Sequence, residues 1–157
     1  MNILYICTHN RCRSILSEAI TNHLGQGRLH AVSAGSQPAG QVHPLTLRYL
    51  EASGIPVQGL HSKSWDDIAA DEVDLVVTVC DSAANEACPV WFGKTPKIHW
   101  GLQDPSKVDG SEQEQRAAFL NIIQQIQQRV IQLLDLNLDQ IPKDAWGTAL
   151  NRLVEEN

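Results

Sequence analysis

The fold of this chain is decided by residues 2–14, which read NILYICTHNRCRS. The apolar run at the start of this stretch predicts a β-strand over residues 2–7, and a polar loop follows it as far as Cys12. From Ser14 the apolar residues recur with helical spacing, which predicts a helix that ends near Leu24. A strand, a short loop and a helix in this order bring the loop to the positive end of the helix dipole.

Cys7 and Arg13 flank this loop with five residues between them. The loop N–H groups and the helix N-terminus are expected to converge on one point, and both favour the thiolate form of a cysteine there. The planar guanidinium of Arg13 matches a tetrahedral oxyanion such as phosphate or arsenate. The spacing therefore predicts an oxyanion site with its own nucleophile. The alternative is a buried structural cysteine and a surface arginine, which needs none of the intervening polar residues.

The rest of the chain alternates strands and helices. Further strands are predicted at residues 29–34, 75–80 and 98–100, and further helices at residues 43–53, 65–70 and 113–134. This order predicts an α/β domain over residues 1–136, with a four-stranded parallel sheet and helices on both faces. A helical extension is expected over residues 137–157, with Trp146, Leu150 and Leu153 on one stripe. The extension either packs onto the domain or contacts a partner or a second copy.

Length, charge and cysteine content restrict the possible functions. The 157 residues suit one domain, and the net charge of −6 argues against nucleic-acid binding. The chain has no run of 18 apolar residues for a membrane span and no visible signal peptide. Four cysteines in such a chain predict reactive thiols in a reducing cytoplasm and not structural disulfides.

Two further cysteines follow the third predicted strand. Residues 76–90 read VVTVCDSAANEACPV, so Cys80 ends the strand and Cys88 follows after seven intervening residues. If this strand is parallel to the first, Cys80 lies at the carboxyl edge of the sheet, where open α/β sheets bind ligands. Phosphate-ester hydrolysis needs no extra thiols, whereas the reduction of an oxyanion needs two electrons that thiols can supply. A packed strand-end thiol is the alternative for Cys80.

The loop that begins at Cys7 resembles the phosphate-binding loop of the low-molecular-weight protein tyrosine phosphatases and of the arsenate reductases that share their fold. The segment with Cys80 and Cys88, and residues 97–105 after it, resemble the arsenate reductases, and the likeness extends over about residues 2–135. The resemblance implies that the oxyanion is bound by seven residues: Thr8, His9, Asn10, Arg11, Cys12, Arg13 and Ser14. His9 replaces the usual glycine, so we expect backbone strain there if the loop needs a positive φ.

The resemblance also implies a thiol relay that reduces arsenate to arsenite for arsenic detoxification. In this relay Cys7 attacks arsenate, Cys80 attacks the Cys7 sulfur and releases arsenite, and Cys88 moves the disulfide outward. Asp104 is expected to be the general acid, although an Asp-Pro pair can simply begin a turn. No tightly bound cofactor is implied, because thioredoxin or the glutathione and glutaredoxin system supplies the electrons. Phosphate or sulfate is expected to compete with arsenate.

Three residues match a potassium site that some arsenate reductases have beside the loop: Asn10, Glu18 and Ser33. The fourth ligand of that site has no counterpart among residues 61–63, and the histidines show no metal-ligand spacing, so no metal is expected. Ser14 is expected to cap the first helix and to donate a hydrogen bond to the Cys7 thiolate. Cys12 is interpreted as a small side chain that fills the loop.

Two other functions remain open at this stage. A low-molecular-weight phosphotyrosine phosphatase would use Cys7, Arg13 and Asp104 and would ignore the other thiols. Ser106 and Lys107 argue against it, because such phosphatases usually carry aromatic residues after the Asp-Pro pair. An arsenite-binding module without catalysis would use three thiols. The arginine argues against that module, because arsenite is neutral at pH 7.

Overall fold

The computed structural model describes residues 1–68, 72–79, 95, 97–142, 145–146 and 148–150. Within these residues the strands are β1 (Asn2–Ile6), β2 (His30–Ala34), β3 (Leu75–Thr78) and β4 (Lys97–His99). The α-helices of the same part of the chain are α1 (Arg13–Gly25), α2 (Pro44–Ala52) and α3 (Glu112–Asp135). Single 3-10 turns occur at Trp65–Asp67, Pro105–Lys107 and Leu138–Gln140.

The strands form one parallel sheet in the order β2-β1-β3-β4. Ile3 of β1 is paired with Ala31 of β2 on one side and with Leu75 of β3 on the other. The prediction of an α/β domain with a four-stranded parallel sheet is therefore confirmed. Because parallel strands end at the same edge, the chain leaves all four strands on the side where the functional residues are expected.

The helix boundaries follow from local capping. Pro44 is the first residue of α2, and the His43 side chain accepts a hydrogen bond from the Leu45 backbone N–H at 3.1 Å. Ser111 caps α3 by accepting from the Glu114 N–H at 3.2 Å. The helix predicted at residues 65–70 is a single 3-10 turn in its described part. Among the described helices, none has the length and apolar composition of a membrane span.

The core encloses β1 on both faces. Side chains alternate in direction along a strand, and Ile3, Leu4, Tyr5 and Ile6 are all buried, so both faces of the sheet are covered at its centre. The Tyr5 hydroxyl is 2.7 Å from the Thr21 hydroxyl of α1, which identifies the face against which α1 packs. Burial fixes the position of β1, and with it the start of the polar loop.

The described part of the chain after α3 belongs to the same core. Leu138, Trp146 and Leu150 are buried in the cluster that contains the sheet residues. The Trp146 indole N–H is within hydrogen-bonding distance of two carbonyl oxygens, those of Leu138 at 2.8 Å and Ile141 at 2.9 Å. These residues pack onto the domain, while Leu153 lies outside the described residues. A boundary between a domain and an extension at residue 136 stays a prediction.

Replacement of Trp146 by alanine tests this packing. We expect Trp146→Ala to lower the free energy of unfolding by about 3–5 kcal/mol, because a buried indole is lost and a cavity remains. Ile131→Ala is the control, because Ile131 is 48% exposed on α3, and its cost should stay below about 1 kcal/mol. Urea unfolding followed by circular dichroism measures both, and equal midpoints for Trp146→Ala and the native protein would contradict the packing.

Candidate active site

The loop predicted to bind an oxyanion lies between β1 and α1. Cys7 follows β1 directly and is 5% exposed, and its backbone N–H donates to the Ala34 carbonyl of β2 at 3.3 Å. The first α-helical bond of α1 runs from the Leu16 N–H to the Cys12 carbonyl at 2.8 Å. The loop is thus fixed at one end by the sheet and at the other by a helix N-terminus, as the sequence predicts.

The sharpest turn of the loop is made by Asn10. Its φ is +46°, whereas His9 is not among the residues with a positive φ, so the strain expected at His9 falls on Asn10 instead. Asparagine enters the left-handed region more readily than most residues because its side chain bonds locally to the backbone and to neighbours. The family's glycine position therefore tolerates histidine in this chain.

Three carbonyl groups of the loop point outward and accept from residues 37–43. The Thr8 carbonyl accepts from the Gln37 N–H at 2.9 Å, and the His9 and Arg11 carbonyls accept from Ala39 and His43 at the same distance. Because a peptide unit is planar and trans, an outward carbonyl turns the following N–H to the opposite side. The result is a concave array of N–H groups, which is the form of an anion-binding loop.

Gly35 permits this arrangement at the end of β2. A Cβ atom on Gly35 would lie 2.5 Å from the Thr8 oxygen and 2.6 Å from the Cys7 oxygen, so a side chain does not fit there. The close approach lets residues 35–43 run along the back of the loop. No motif in the sequence predicted this role.

Arg13 is held at the mouth of the loop by residues from the far side of the sheet. Its Nη1 donates to the Leu102 carbonyl at 3.0 Å, and its Nη2 lies 3.8 Å from the Asp104 Oδ2. The Nε atom is buried and has no hydrogen-bond partner among the described residues. A buried unpaired donor costs about 1–3 kcal/mol, so this atom is a ready site for an acceptor. A bound oxyanion supplies one.

Asp104 is fixed by its own turn. Its Oδ1 accepts from the Ser106 N–H at 2.9 Å and from the Ser106 hydroxyl at 2.6 Å, which caps the 3-10 turn Pro105–Lys107. The expected turn role of the Asp-Pro pair is therefore present, and it leaves Oδ2 beside Arg13. A positioned carboxyl group at the rim is what proton transfer to a departing oxygen requires.

These residues enclose a cleft of about 200 Å³. Its lining combines the loop with the turn after Asp104: Cys7, Thr8, His9, Arg11, Cys12, Arg13, Asp104, Ser106 and Lys107. Three of these side chains are cationic and one is acidic, so the local charge is positive although the whole chain carries −6. Within the described residues the lining has no tyrosine, tryptophan or phenylalanine.

The second thiol of the loop, Cys12, differs from Cys7 in its chemistry. Burial raises the pKa of the Cys12 thiol to about 12, although a hydrogen bond with Thr46 acts in the opposite direction. The same Thr46 hydroxyl donates to the Arg11 carbonyl at 3.3 Å. Cys12 is therefore a neutral side chain that fills the loop, as the sequence interpretation has it. Thr46 was missed, because it lies on α2 with no motif around it.

The three potassium-site candidates come together behind the loop. Asn10 Nδ2 donates to Ser33 Oγ at 2.9 Å, and Ser33 Oγ donates to Glu18 Oε1 at 2.7 Å. The Lys63 Nζ atom lies 3.5 Å from the same Glu18 oxygen. Among the described residues, no group of three or more histidine, cysteine or acidic side chains is arranged to hold a metal ion.

Ser14 does not cap α1. The helix begins at Arg13 after Cys12, which makes no side-chain capping bond, and Ser14 Oγ instead accepts from Asn10 Nδ2 at 2.8 Å. Cys80 and Cys88 lie outside the described residues. The chain before Cys80 is described as far as Val79, whose N–H donates to the Ile6 carbonyl at 3.0 Å.

Comparison with known proteins adds four findings to this geometry. A family model described as low molecular weight phosphotyrosine protein phosphatase matches residues 2–145. An arsenate reductase of Bacillus licheniformis is 33% identical over 129 residues, or 82% of this chain and 91% of that protein. A glutaredoxin arsenate reductase of Synechocystis sp. is 30% identical over 132 residues, or 84% and 95% of the two chains. A solved arsenate reductase in the phosphate binding state has a TM-score of 0.72 and 25% identity over 85% of this chain and 96% of its own.

The difference between the two loop thiols can be measured by alkylation. With iodoacetamide at pH 8 we expect Cys7 to be labelled and Cys12 to stay unlabelled in the folded protein, because the raised pKa keeps the Cys12 thiol neutral and burial blocks access. Cys12 should be labelled after unfolding in urea. Mass spectrometry of the separate peptides gives both rates, and comparable native rates for the two thiols would contradict the assignment.

Proposed function

The chain belongs to the low molecular weight phosphotyrosine protein phosphatase family, and within this family we propose that it reduces arsenate to arsenite. One observation carries this choice of reaction. Val79, the residue before Cys80, is hydrogen-bonded to Ile6, the residue before Cys7, so the chain leaves two neighbouring strands at the same edge with a cysteine next. Hydrolysis of a phosphate ester has no use for the second cysteine, whereas reduction of an oxyanion does.

Arsenate binds in the cleft above the loop. The loop N–H groups, the α1 N-terminus and the unpaired Arg13 Nε provide donors around one point, and the cationic lining attracts a dianion. Phosphate has the same tetrahedral shape and charge, so it competes for these donors. A relative's structure in the phosphate binding state is consistent with this competition.

The first chemical step forms a bond between the Cys7 sulfur and arsenic. The thiolate attacks As(V), one arsenic–oxygen bond breaks, and the oxygen leaves as water after it receives a proton from Asp104. The Ser106 hydrogen bonds hold the Asp104 carboxyl group at the rim for this transfer. The product is a covalent thiol–arsenate adduct, with arsenic still in its oxidised state.

The second step transfers two electrons. The Cys80 thiolate attacks the Cys7 sulfur, a disulfide forms, and the electron pair of the sulfur–arsenic bond passes to arsenic, which leaves as arsenite. Cys88 then attacks the Cys80 sulfur, releases Cys7 as a thiolate and leaves a disulfide between Cys80 and Cys88. Each turnover therefore consumes two thiol electrons and regenerates the nucleophile.

An external dithiol must reduce the final disulfide. A relative named glutaredoxin arsenate reductase supports glutaredoxin and glutathione as one source, and thioredoxin is the other source implied by the three-cysteine relay. Both systems are kept reduced in the cytoplasm, which is the compartment in which the cycle closes. No tightly bound cofactor takes part in these steps.

The proposal is tested by arsenate-dependent consumption of NADPH. One assay contains thioredoxin and its reductase, and the other contains glutathione, glutaredoxin and glutathione reductase. We expect turnover in at least one assay. Rapid cleavage of p-nitrophenyl phosphate without arsenate turnover in either assay would contradict the proposal in favour of the phosphatase.

The two distal thiols are tested in the same assays. Cys80→Ser should stop multiple turnover while a Cys7 adduct still forms, because the attack that releases arsenite is lost. Cys88→Ser should stop turnover with thioredoxin after one cycle and leave a Cys7–Cys80 disulfide, which mass spectrometry detects. Full multiple-turnover activity in Cys80→Ser would eliminate the relay.

Arg13→Lys tests the guanidinium. We expect at least about tenfold weaker phosphate binding, because the variant keeps the charge but loses Nε and the paired geometry, and hydrogen bonds to charged groups contribute about 1.5–3 kcal/mol each. Arg48→Lys is the matched control, since Arg48 forms an exposed ion pair with Glu112 at 2.7 Å. Calorimetric titration with phosphate measures both, and equal affinities for Arg13→Lys and the native protein would contradict this role.

A further inference from the structure

A buried ion pair lies behind the oxyanion loop and outside the cleft. Glu18 of α1 and Lys63 have side chains that are 10% and 14% exposed, and their charged atoms are 3.5 Å apart. The ammonium group also donates to the His61 carbonyl at 3.2 Å. Neither residue lines the cleft, so the pair does not contact substrate. An effect on the chemistry must pass through other residues.

A chain of hydrogen bonds connects the pair to the loop, and its direction is fixed. An ionised carboxylate can only accept, so the Ser33 hydroxyl gives its one hydrogen to Glu18 at 2.7 Å. The Ser33 oxygen then accepts from the Asn10 amide nitrogen at 2.9 Å. The same nitrogen gives its other hydrogen to Ser14 Oγ at 2.8 Å.

The orientation of the Asn10 amide is fixed independently. The Lys63 backbone N–H can only donate, and it lies 2.8 Å from Asn10 Oδ1. The amide oxygen therefore faces Lys63, and the amide nitrogen must face the two serines. Because Ser14 Oγ is an acceptor in this bond, its own hydrogen remains for another acceptor. Ser14 is fully buried at the start of α1, and the thiol of Cys7, which opens the same loop, is buried as well.

The ammonium of Lys63 is what keeps this direction favourable. A buried carboxylate without a counter-charge is strongly disfavoured, and the Lys63 ammonium supplies that counter-charge beside Glu18. Without the ammonium this arrangement would be unfavourable, and the Ser33 hydroxyl would lose the anion that fixes its hydrogen. A chain of hydrogen bonds that ends on a charged group is more polarised than a neutral chain, so the donor strength of Ser14 depends on the charge of Glu18.

We propose that Lys63 is a positioning residue whose ammonium group compensates the negative charge of Glu18 and, through Ser33 and Asn10, fixes Ser14 as a hydrogen-bond donor to the Cys7 thiolate. The inference deepens the proposed function, because it explains how this chain prepares its nucleophile. The cluster carries its own cation, so added potassium is not needed for this task.

Lys63→Met removes the ammonium group and keeps the backbone and an unbranched side chain at this position. The backbone N–H that holds Asn10 is retained, while the charge beside Glu18 and the hydrogen bond to the His61 carbonyl are lost. Lys63→Arg restores a cation, and Lys97→Met is the matched control because Lys97 is exposed on β4. Among the described residues, the titratable and charged groups that line the cleft with Cys7 are the same in all variants: His9, Arg11, Arg13, Asp104 and Lys107.

The measurement is the rate of Cys7 alkylation by iodoacetamide between pH 5 and pH 9, followed on the Cys7 peptide. We expect the Lys63→Met profile to move to higher pH, with a rate at pH 6 about tenfold lower, since a charge-assisted hydrogen bond is worth about 1.5–3 kcal/mol. Lys63→Arg and Lys97→Met should follow the native profile. A folded Lys63→Met protein with the native profile would overturn the proposal.

A double-mutant cycle distinguishes this role from a general loss of stability. Ser33→Ala cuts the chain between the ion pair and Asn10, so Lys63→Met should add little to the effect of Ser33→Ala on the alkylation profile. Fully additive shifts would overturn the proposal. If Lys63→Met does not fold, as judged by circular dichroism, Lys63→Gln replaces it with the same expected and contrary outcomes.

The alkylation measurement is also independent of arsenate chemistry. Alkylation of Cys7 needs no arsenate and no external reductant. A shifted profile in Lys63→Met together with no arsenate turnover by the native protein would refute the proposed function and keep the role of Lys63. Arsenate turnover with an unshifted profile would do the reverse.

Discussion

The left-handed turn at Asn10 is the constraint on which the site depends. A non-glycine residue in this conformation costs about 1–2 kcal/mol, and the Asn10 amide offsets that cost with three hydrogen bonds of about 1 kcal/mol each, two of them buried and one partly buried. These bonds reach Ser14 of α1, Ser33 of β2 and the backbone of Lys63. The turn is therefore set by three separate parts of the fold before any ligand arrives. Donors fixed in advance need no reorganisation when charge develops.

The parallel sheet supplies the remaining parts of the site from one edge. β1 leads to Cys7, and β2 leads to Gly35, whose missing side chain admits the loop. β3 leads toward Cys80, and after β4 the chain reaches Leu102, whose carbonyl holds Arg13. The central strands β1 and β3 are buried except at Asn2, so a change in the core moves one of these parts. A change that destabilises the sheet therefore also alters the geometry of the site.

The sequence predicts the parts of this structure that are local. Apolar periodicity located the strands and helices to within a few residues, and the spacing of Cys7 and Arg13 located the loop. Two differences from expectation lie in the loop: the helix cap predicted at Ser14 is wrong, and the positive φ considered at His9 falls at Asn10. The turn falls at Asn10 because that side chain has partners far away in sequence, and Ser14 is occupied by Asn10. The sequence pattern alone does not predict hydrogen-bond partners that are so far apart in the chain.

The same limit explains the missed residues. Thr46 acts through hydrogen bonds to Cys12 and to the Arg11 carbonyl, and Ser106 acts through two hydrogen bonds to Asp104. Neither residue belongs to a motif. Lys63 was considered only as a position where a potassium site would need another ligand. In the structure Lys63 does not provide a ligand for potassium. It places its own ammonium cation beside the other residues of the cluster. A lysine and a glutamate 45 residues apart gave no signal until the fold placed them together.

The described charges around the loop favour an anion in the cleft. Cys12 stays neutral because burial raises its pKa to about 12, and the negative charge of Glu18 is compensated by Lys63 behind the loop. The cationic side chains of Arg11, Arg13 and Lys107 therefore act on a cleft in whose described lining Asp104 is the one acidic residue. Charges more than about 8 Å away in solvent are largely screened at physiological salt. An acidic protein can thus bind an anion, because the field at the cleft is set by its nearest charges.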